Sequence, residues 1–359
     1  MKFFHLERDY FRHKSEYLAA LEKVLDSGSY LEGEQLQKFE QKFADYIGAK
    51  YVIALGSGSD ALTMALMVAN IGQGDEVITT NYAPAVHLYA IIRSGAKPIF
   101  IDVDPHTAMM DIKKIETAIT PYTRAIIPFH FHGYCDDIEK ILDIANKHRL
   151  IVIENAWQAV GTYFNNKHVG TFGKLGVFSF YPTTTLGAFG DCGAIATNDK
   201  AIYETLTKIR HSEHFHVNLA RKTFVSRMTE IQAAILNIKM KYLKDLVYRR
   251  QRIANKIIEQ LPYIDYIKPR KGCIPNYYIL SFTVKEREKM RDNLRKQGLN
   301  LNVYYSYVLN KLDKTNILFY KDYPVSQQFA KTILSLPPCG ELSNFEVEKL
   351  INIIKSFYE

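Results

Sequence analysis

Histidine supplies the ring nitrogens best suited to moving protons near neutral pH, and this chain has 11 of them. His87, His130 and His132 fall beside the C-terminal ends of predicted strands or on the helices that follow. His211, His214 and His216 cluster after a helix predicted to end near Arg210. The His214-x-His216 spacing invites a metal, but no carboxylate motif of metal-site type accompanies it, and no metal is expected. The plainer reading of any one of these histidines is a hydrogen-bonded structural or surface residue. Moving a proton beside a carbonyl needs one positioned base and one donor to the developing oxyanion. Tyr181, Thr184 and Tyr305 are the candidate donors.

Two glycine-rich stretches could bring backbone to a ligand. Residues 178–195 read as a short apolar strand, a polar turn holding Tyr181 and Thr184, a glycine-dense loop and a second strand. Gly56-Ser57-Gly58-Ser59-Asp60 turns a strand into a helix, and the free N–H groups of such a turn favour an anion. Ser59 serves equally as a plain helix cap. Cys192 is read as a small buried residue rather than a nucleophile.

The elements that must hold these residues follow from the rest of the chain. Its 359 residues suffice for one large domain and a smaller one, and 47% apolar with 23% charged residues is ordinary for a globular protein. The net charge of +8 is scattered, apart from a run between Lys239 and Lys256 read as the solvated face of a helix. Neither nucleic acid nor membrane is expected as a partner. Cys135, Cys192, Cys273 and Cys339 are too far apart for a zinc site or a disulfide scaffold. Met1 to Lys14 mixes both charge signs without a long apolar run, and no stretch reaches membrane-spanning length. The expected location is a reducing cytoplasm.

Helices are predicted from Tyr10 to Leu25 and from Glu34 to Ile47. Strands and helices then alternate: strand Tyr51 to Leu55, helix from Ala61, strand Glu76 to Thr79, helix from Pro84, strand Ile99 to Val103, strand Ala125 to Pro128, helix from Asp137, strand Ile151 to Glu154. This alternation predicts an α/β fold with a mainly parallel sheet and ligands at the strand C-terminal ends. Residues 1–240 are expected to form the large domain with the ligand site, and 241–359 a small C-terminal α+β domain. A long helix starting near 227 joins them, and a strand is predicted from Tyr277 to Val284.

Residues 178–195 resemble the active-site loop of the DegT/DnrJ/EryC1/StrS family of nucleotide-sugar aminotransferases. Ser179, Phe180, Tyr181, Pro182, Thr183, Leu186, Gly187, Ala188, Gly190, Asp191 and Gly193 fall in its pattern. The stretches Gly95–Pro105 and Arg227–Ala234 also match, as do Phe39-Glu40 and Phe43-Ala44, so the resemblance covers essentially the whole chain. It implies the aspartate-aminotransferase type of fold and a homodimer with sites at the interface. Gly58, Ser59 and Ser179 are then placed at the cofactor phosphate. Asn155, Gln158, Arg227 and Tyr305 are placed at the cofactor or the sugar.

The sequence departs from the family pattern at the cofactor. Thr184 stands where the family has the lysine that binds pyridoxal phosphate as a Schiff base, and a hydroxyl cannot make one. Asn155 replaces the aspartate that pairs with the ring nitrogen, Pro84 the stacking aromatic, and Val225 an asparagine that reaches the phosphate of the partner subunit. No lysine lies between Lys174 and Lys200. These losses predict that no cofactor is used, pyridoxal phosphate being open only to non-covalent binding. The leading expectation is a ketoisomerase or epimerase acting on a nucleotide-linked keto-deoxyhexose through His87, His130 or His214, with Tyr181 and Thr184. The alternatives are an aminotransferase or dehydratase that holds pyridoxal phosphate non-covalently, and a non-catalytic sugar-binding paralogue.

Overall fold

The computed structural model of the chain describes residues 1–211, 225–312 and 322–358. α1 (Leu6–Arg12) and α2 (Lys14–Ser27) replace the single first helix expected, because His13 leaves helical geometry between them at φ −119°, ψ 22°. α3 (Glu34–Ile47) buries Leu36, Phe39, Phe43 and Ile47 along one stripe, as its 3.6-residue spacing requires. The first turn of α3 is closed from far along the chain. The buried Glu230 carboxylate accepts the backbone N–H groups of Gly33 (2.9 Å), Gln35 (2.8 Å) and Leu36 (2.9 Å).

The alternation then runs β1 (Tyr51–Leu55), α4 (Gly58–Val68), β2 (Glu76–Thr80), α5 (Ala85–Arg93), β3 (Lys97–Ile101), α6 (Ile115–Ala118), β4 (Thr123–Ile127), α7 (Ile138–His148) and β5 (Ile151–Asn155). A short hairpin, β6 (Tyr163–Phe164) and β7 (Lys167–His168), precedes β8 (Leu175–Ser179), β9 (Gly193–Thr197) and α8 (Lys200–His211). Seven strands form one sheet in the order β1-β9-β8-β5-β4-β2-β3. β3, β2, β4, β5 and β8 pair in parallel, while β9 runs antiparallel to β8 and β1. The reversal follows from the link: residues 180–192 hold no crossover helix, and a parallel neighbour would need one. The sheet is therefore mainly parallel, as the alternation implied.

Both faces of the sheet are covered, which is why its strands are almost continuously apolar. Phe43 meets Phe178 edge-on at 5.0 Å and Phe180 at 5.1 Å, and Phe39 meets Phe180 at 5.2 Å. These rings clamp the end of β8 and so fix Ser179, which lies between two of them in sequence.

α9 (Glu230–Gln260) starts when Thr229 accepts the Gln232 N–H as N-cap, and it runs unbroken through residues 240 and 241. It is followed by β10 (Asp265–Tyr266), β11 (Cys273–Ile274), β12 (Ser281–Thr283), α10 (Arg287–Lys296), α11 (Pro324–Thr332), β13 (Ile333–Ser335) and α12 (Asn344–Tyr358). β10, β12 and β13 form a separate antiparallel sheet over a core that includes Phe282, Leu294, Leu334 and Leu350. The strand expected from Tyr277 is shorter because Tyr277 takes φ +49° and the Asn276 side chain accepts the Tyr278 N–H. Among the described residues no helix is long and apolar enough to cross a membrane.

Candidate active site

The C-terminal ends of β1, β2, β5 and β8 converge, and the chemistry-bearing residues stand on the turns that leave them. α4 begins at Gly58 directly after β1. Its N-cap Ser57 accepts the Asp60 N–H at 3.1 Å and its hydroxyl lies 3.0 Å from that of Ser59. Asp60 is held by the Ser226 hydroxyl at 2.7 Å and by Arg93. A Cβ on Gly58 would stand 2.7 Å from Ser179 Cβ, 3.0 Å from Ser179 Oγ and 3.1 Å from Trp157 Nε1. Only glycine lets these groups close on the helix N-terminus. Trp157 Nε1 is buried there with no hydrogen-bond partner among the described residues.

Asn155 ends β5 and belongs to a buried chain of hydrogen bonds. The Thr79 hydroxyl donates to the Ile127 carbonyl at 2.8 Å, so it accepts from His87 Nε2 at 2.7 Å. His87 Nδ1 is then the acceptor for the Asn155 amide at 2.8 Å, and Asn155 Oδ1 accepts the Trp157 N–H at 3.1 Å. One tautomer satisfies the whole chain. Burial pulls the His87 pKa down to about 3, so the ring is neutral. A second N–H on the Asn155 amide has no acceptor among the described residues.

A further group lies one residue beyond Trp157. Gln158 Oε1 accepts the His132 N–H at 2.7 Å, and its amide donates to the Tyr305 hydroxyl at 3.1 Å. Tyr82 braces Tyr305 by donating to its carbonyl and accepting from its N–H, both at 2.8 Å. Burial raises the Tyr305 hydroxyl well above the usual tyrosine range, so it stays protonated. Tyr82 is fully buried and committed to this bridge. His132 is buried with its ring stacked on Phe131 at 3.7 Å. Its Nδ1 lies 2.9 Å from Ser281 Oγ, and its Nε2 has no partner among the described residues.

Among the described residues, His87 and His130 do not form the histidine acid–base machinery expected from the sequence. His87 has both ring nitrogens engaged inside the sheet edge. His130 is equally buried: Nε2 donates to Glu154 at 3.0 Å and Nδ1 accepts the Asp136 N–H at 3.2 Å. Glu154 also receives the N–H groups of Gly170, Phe172 and Gly173, all at 2.7 Å. Burial pushes its pKa up, but His130 and these donors more than offset that and hold it low. His130 and Glu154 thus staple one loop to β5. His214 lies outside the described residues, as does His216. Thr184 donates its hydroxyl to the Tyr181 carbonyl at 2.9 Å, closing its own turn, while the Tyr181 side chain is exposed. Arg227 faces Glu32 at 3.8 Å. Val225 is exposed, and Cys192 is buried with its thiol pKa pushed up to about 12. Among the described residues no cluster of three His, Cys, Asp or Glu could hold a metal ion.

Gly58, Ser59, Ser179, Asn155 and His87 are therefore brought together, with Gln158 and Tyr305 as a neighbouring pair. Sequence reasoning missed Trp157. It is the only tryptophan in the chain, and it stands at a strand end beside Asn155 and Gln158, which was the available signal.

Comparison with known proteins bears on the chemistry. Residues 12–355 match the model of the DegT/DnrJ/EryC1/StrS aminotransferase family. A pleiotropic regulatory protein of Geobacillus stearothermophilus is 36% identical over 98% of this chain and 97% of its own length. The dTDP-3-amino-3,6-dideoxy-alpha-D-galactopyranose transaminase of Aneurinibacillus thermoaerophilus is 36% identical over 96% of each. The crystal structure of NtdA from Bacillus subtilis with bound cofactor PMP superimposes with a TM-score of 0.90 at 28% identity, over 100% of this chain and 85% of that one.

Two expectations are overturned. The cofactor-independent isomerase or epimerase gives way, because full-length relatives are named transaminases, and two of the histidines it relied on, His87 and His130, are buried and engaged. The expectation of no cofactor gives way as well, because a structure this similar holds PMP, the amine form of pyridoxal phosphate. The residues here fit such a group at its phosphate end. Free N–H groups open α4, the Ser179 hydroxyl lies against them, and the orphaned Trp157 indole N–H lacks the acceptor that a phosphate oxygen would supply. At the ring end the neutral Asn155 amide fits an unprotonated ring nitrogen. Nothing at Thr184 fits a covalent link.

Proposed function

The chain belongs to the DegT/DnrJ/EryC1/StrS aminotransferase family, and on that premise we propose that it acts on a nucleotide-linked amino or keto sugar with a pyridoxamine-type cofactor held non-covalently. The single observation that carries this reading is the buried Trp157 N–H, left without an acceptor against Gly58 and Ser179 at the start of α4. Ser59, Ser179, Trp157 and the α4 N-terminus would hold the phosphate. Asn155 would donate its spare N–H to the ring, and His87 fixes which way that amide faces by occupying the other N–H. Gln158 and Tyr305 would border the sugar. When bound, the cofactor supplies an amino group and an electron sink to the sugar carbon. Gln158 locks the Tyr305 side chain in place, and the raised pKa of that hydroxyl keeps it a proton donor rather than a base.

A homodimer is part of this reading. Val86, Tyr89 and Ile92 recur every three residues on α5 and are exposed, which suits a covered face. Sedimentation at micromolar concentration tests it: a monomer would rule it out.

The direct test is a fluorescence or absorbance titration of the purified protein with pyridoxamine phosphate. Saturable binding is expected, weakened by Ser179→Ala and abolished by Gly58→Ala, whose new methyl group would meet Ser179. Equal binding by all three proteins, or none by the wild type, rejects the proposal. A second reading, a nucleotide-sugar binder without turnover, is favoured by Thr184, whose hydroxyl is spent on its own turn. It predicts cofactor and sugar binding with no amino transfer at all.

A further inference from the structure

One cavity gathers buried cations that no carboxylate neutralises fully. Its volume is about 290 Å³, and it is walled by His5, α1, His13, α9, Pro182, residues 184–187 and the turn at Gly340-Glu341. None of Gly58, Asn155, Gln158 and Ser179 lines it, but Thr184 does, so it lies beside the phosphate cradle and meets the candidate active site at that one loop. Three buried nitrogens without partners among the described residues belong to its lining: Arg249 Nε, Arg250 Nε and His5 Nε2. Arg250 is 1% exposed. It donates to Thr185 Oγ1 at 2.9 Å, and its nearest carboxylate, Glu341, stands 3.8 Å away and also accepts the His5 N–H. Arg249 reaches only the Leu342 carbonyl, at 2.7 Å. Burial and the nearby charges of Arg12 and Arg252 pull its pKa down.

The other charges of the lining are spoken for. Arg8 pairs with Glu346 at 2.7 Å, and Asp9 takes Lys239 at 3.1 Å. Arg12, Arg249 and Arg250 remain opposite Asp245 and a shared Glu341. Buried guanidinium N–H groups without acceptors are costly, and their planar forks match phosphate oxygens. The cavity is at the small end for ligand pockets, the size of a diphosphate rather than of a whole nucleotide-linked sugar.

We propose that this cavity is a second ligand site, which takes a small phosphate-bearing anion between Arg12, Arg249 and Arg250. Its occupancy also reaches the candidate active site, because Arg250 holds Thr185, the neighbour of Thr184. An anion that fixes Arg250 fixes that loop.

The test is calorimetric titration of the 359-residue chain with inorganic pyrophosphate and, separately, with uridine diphosphate. Saturable pyrophosphate binding is expected to survive Ser179→Ala, which alters only the phosphate cradle of the candidate active site. It should weaken on the order of tenfold in Arg12→Gln and in Arg249→Gln. Arg12 is exposed, so its variant keeps the fold even where Arg249→Gln does not. Uridine diphosphate binding no tighter than pyrophosphate assigns the site to free phosphate compounds; tighter binding assigns it to the diphosphate of a nucleotide. Either supports the site. No pyrophosphate binding, binding untouched by both arginine substitutions, or binding lost in Ser179→Ala overturns it.

Discussion

His87 and Asn155 meet at 2.8 Å, ring Nδ1 to amide nitrogen, at the buried end of β5. The direction of that bond is set two residues away in the network: Thr79 donates to Ile127, which makes the other ring nitrogen of His87 the proton carrier. Histidine and asparagine therefore specify each other. An amide is the side chain that satisfies this neutral ring, where an aspartate would demand a second proton on it.

That pairing gives the first prediction. Asn155→Asp removes the donor and sets a carboxylate against His87 Nδ1. The ring then gains from holding both protons, and its pKa should rise from about 3 by roughly 2–3 units. Proton or nitrogen NMR of the His87 ring across a pH series reads this directly. A ring that stays neutral down to the same pH as in the wild type would show that the hydrogen-bond order described here is wrong.

Thr184→Lys is expected to restore a covalent link. The wild-type hydroxyl is tied to Tyr181 at 2.9 Å, and a lysine at this position extends past that turn with an amine at its tip. Incubation with pyridoxal phosphate followed by borohydride should add the mass of one cofactor to the variant and nothing at residue 184 of the wild type. Mass spectrometry of the peptide decides it. An unlabelled variant would mean that the loop does not aim residue 184 at the cofactor.

Acid should unfold the protein through its neutral buried histidines. Burial lowers the folded pKa of His87 and His132 to about 3 and of His168 to about 4. An unfolded chain takes up protons at these rings near pH 6.5 while the folded one does not, so the unfolded state binds more protons and stability decreases as the pH is lowered. The contribution is complete above about 6.5 and is lost as pH drops towards 4, by about 1.4 kcal/mol per unit for each ring. Denaturant midpoints measured between pH 7 and 4.5 should drop steeply, and His168→Gln should flatten the slope. A pH-independent midpoint over that interval would contradict it.

Much of the fold was legible because local spacing and burial agree. The span of α3 and that of β1 match the apolar periodicity residue for residue, and the alternation from Tyr51 to Asn155 could only close into a mainly parallel sheet. Boundaries shifted where one side chain intervened: His13 splits the first helix, Thr229 sets the start of α9, and Asn276 delays β12. The loss of the amine at Thr184 needed no structure, since threonine carries none wherever it points.

What the sequence could not decide is which polar groups are already spent. His87, His130 and the Thr184 hydroxyl read as free chemistry along the chain, and each is consumed by a partner distant in sequence or hidden in its own turn. Burial and hydrogen-bond direction are properties of three-dimensional neighbours, and composition does not encode them. The same reason hid Trp157 and the Arg249–Arg250 cavity, where the informative fact is a donor without an acceptor. Residue types determined the fold and the loss of the covalent link; only packing decided which nitrogens and hydroxyls remain to meet a ligand.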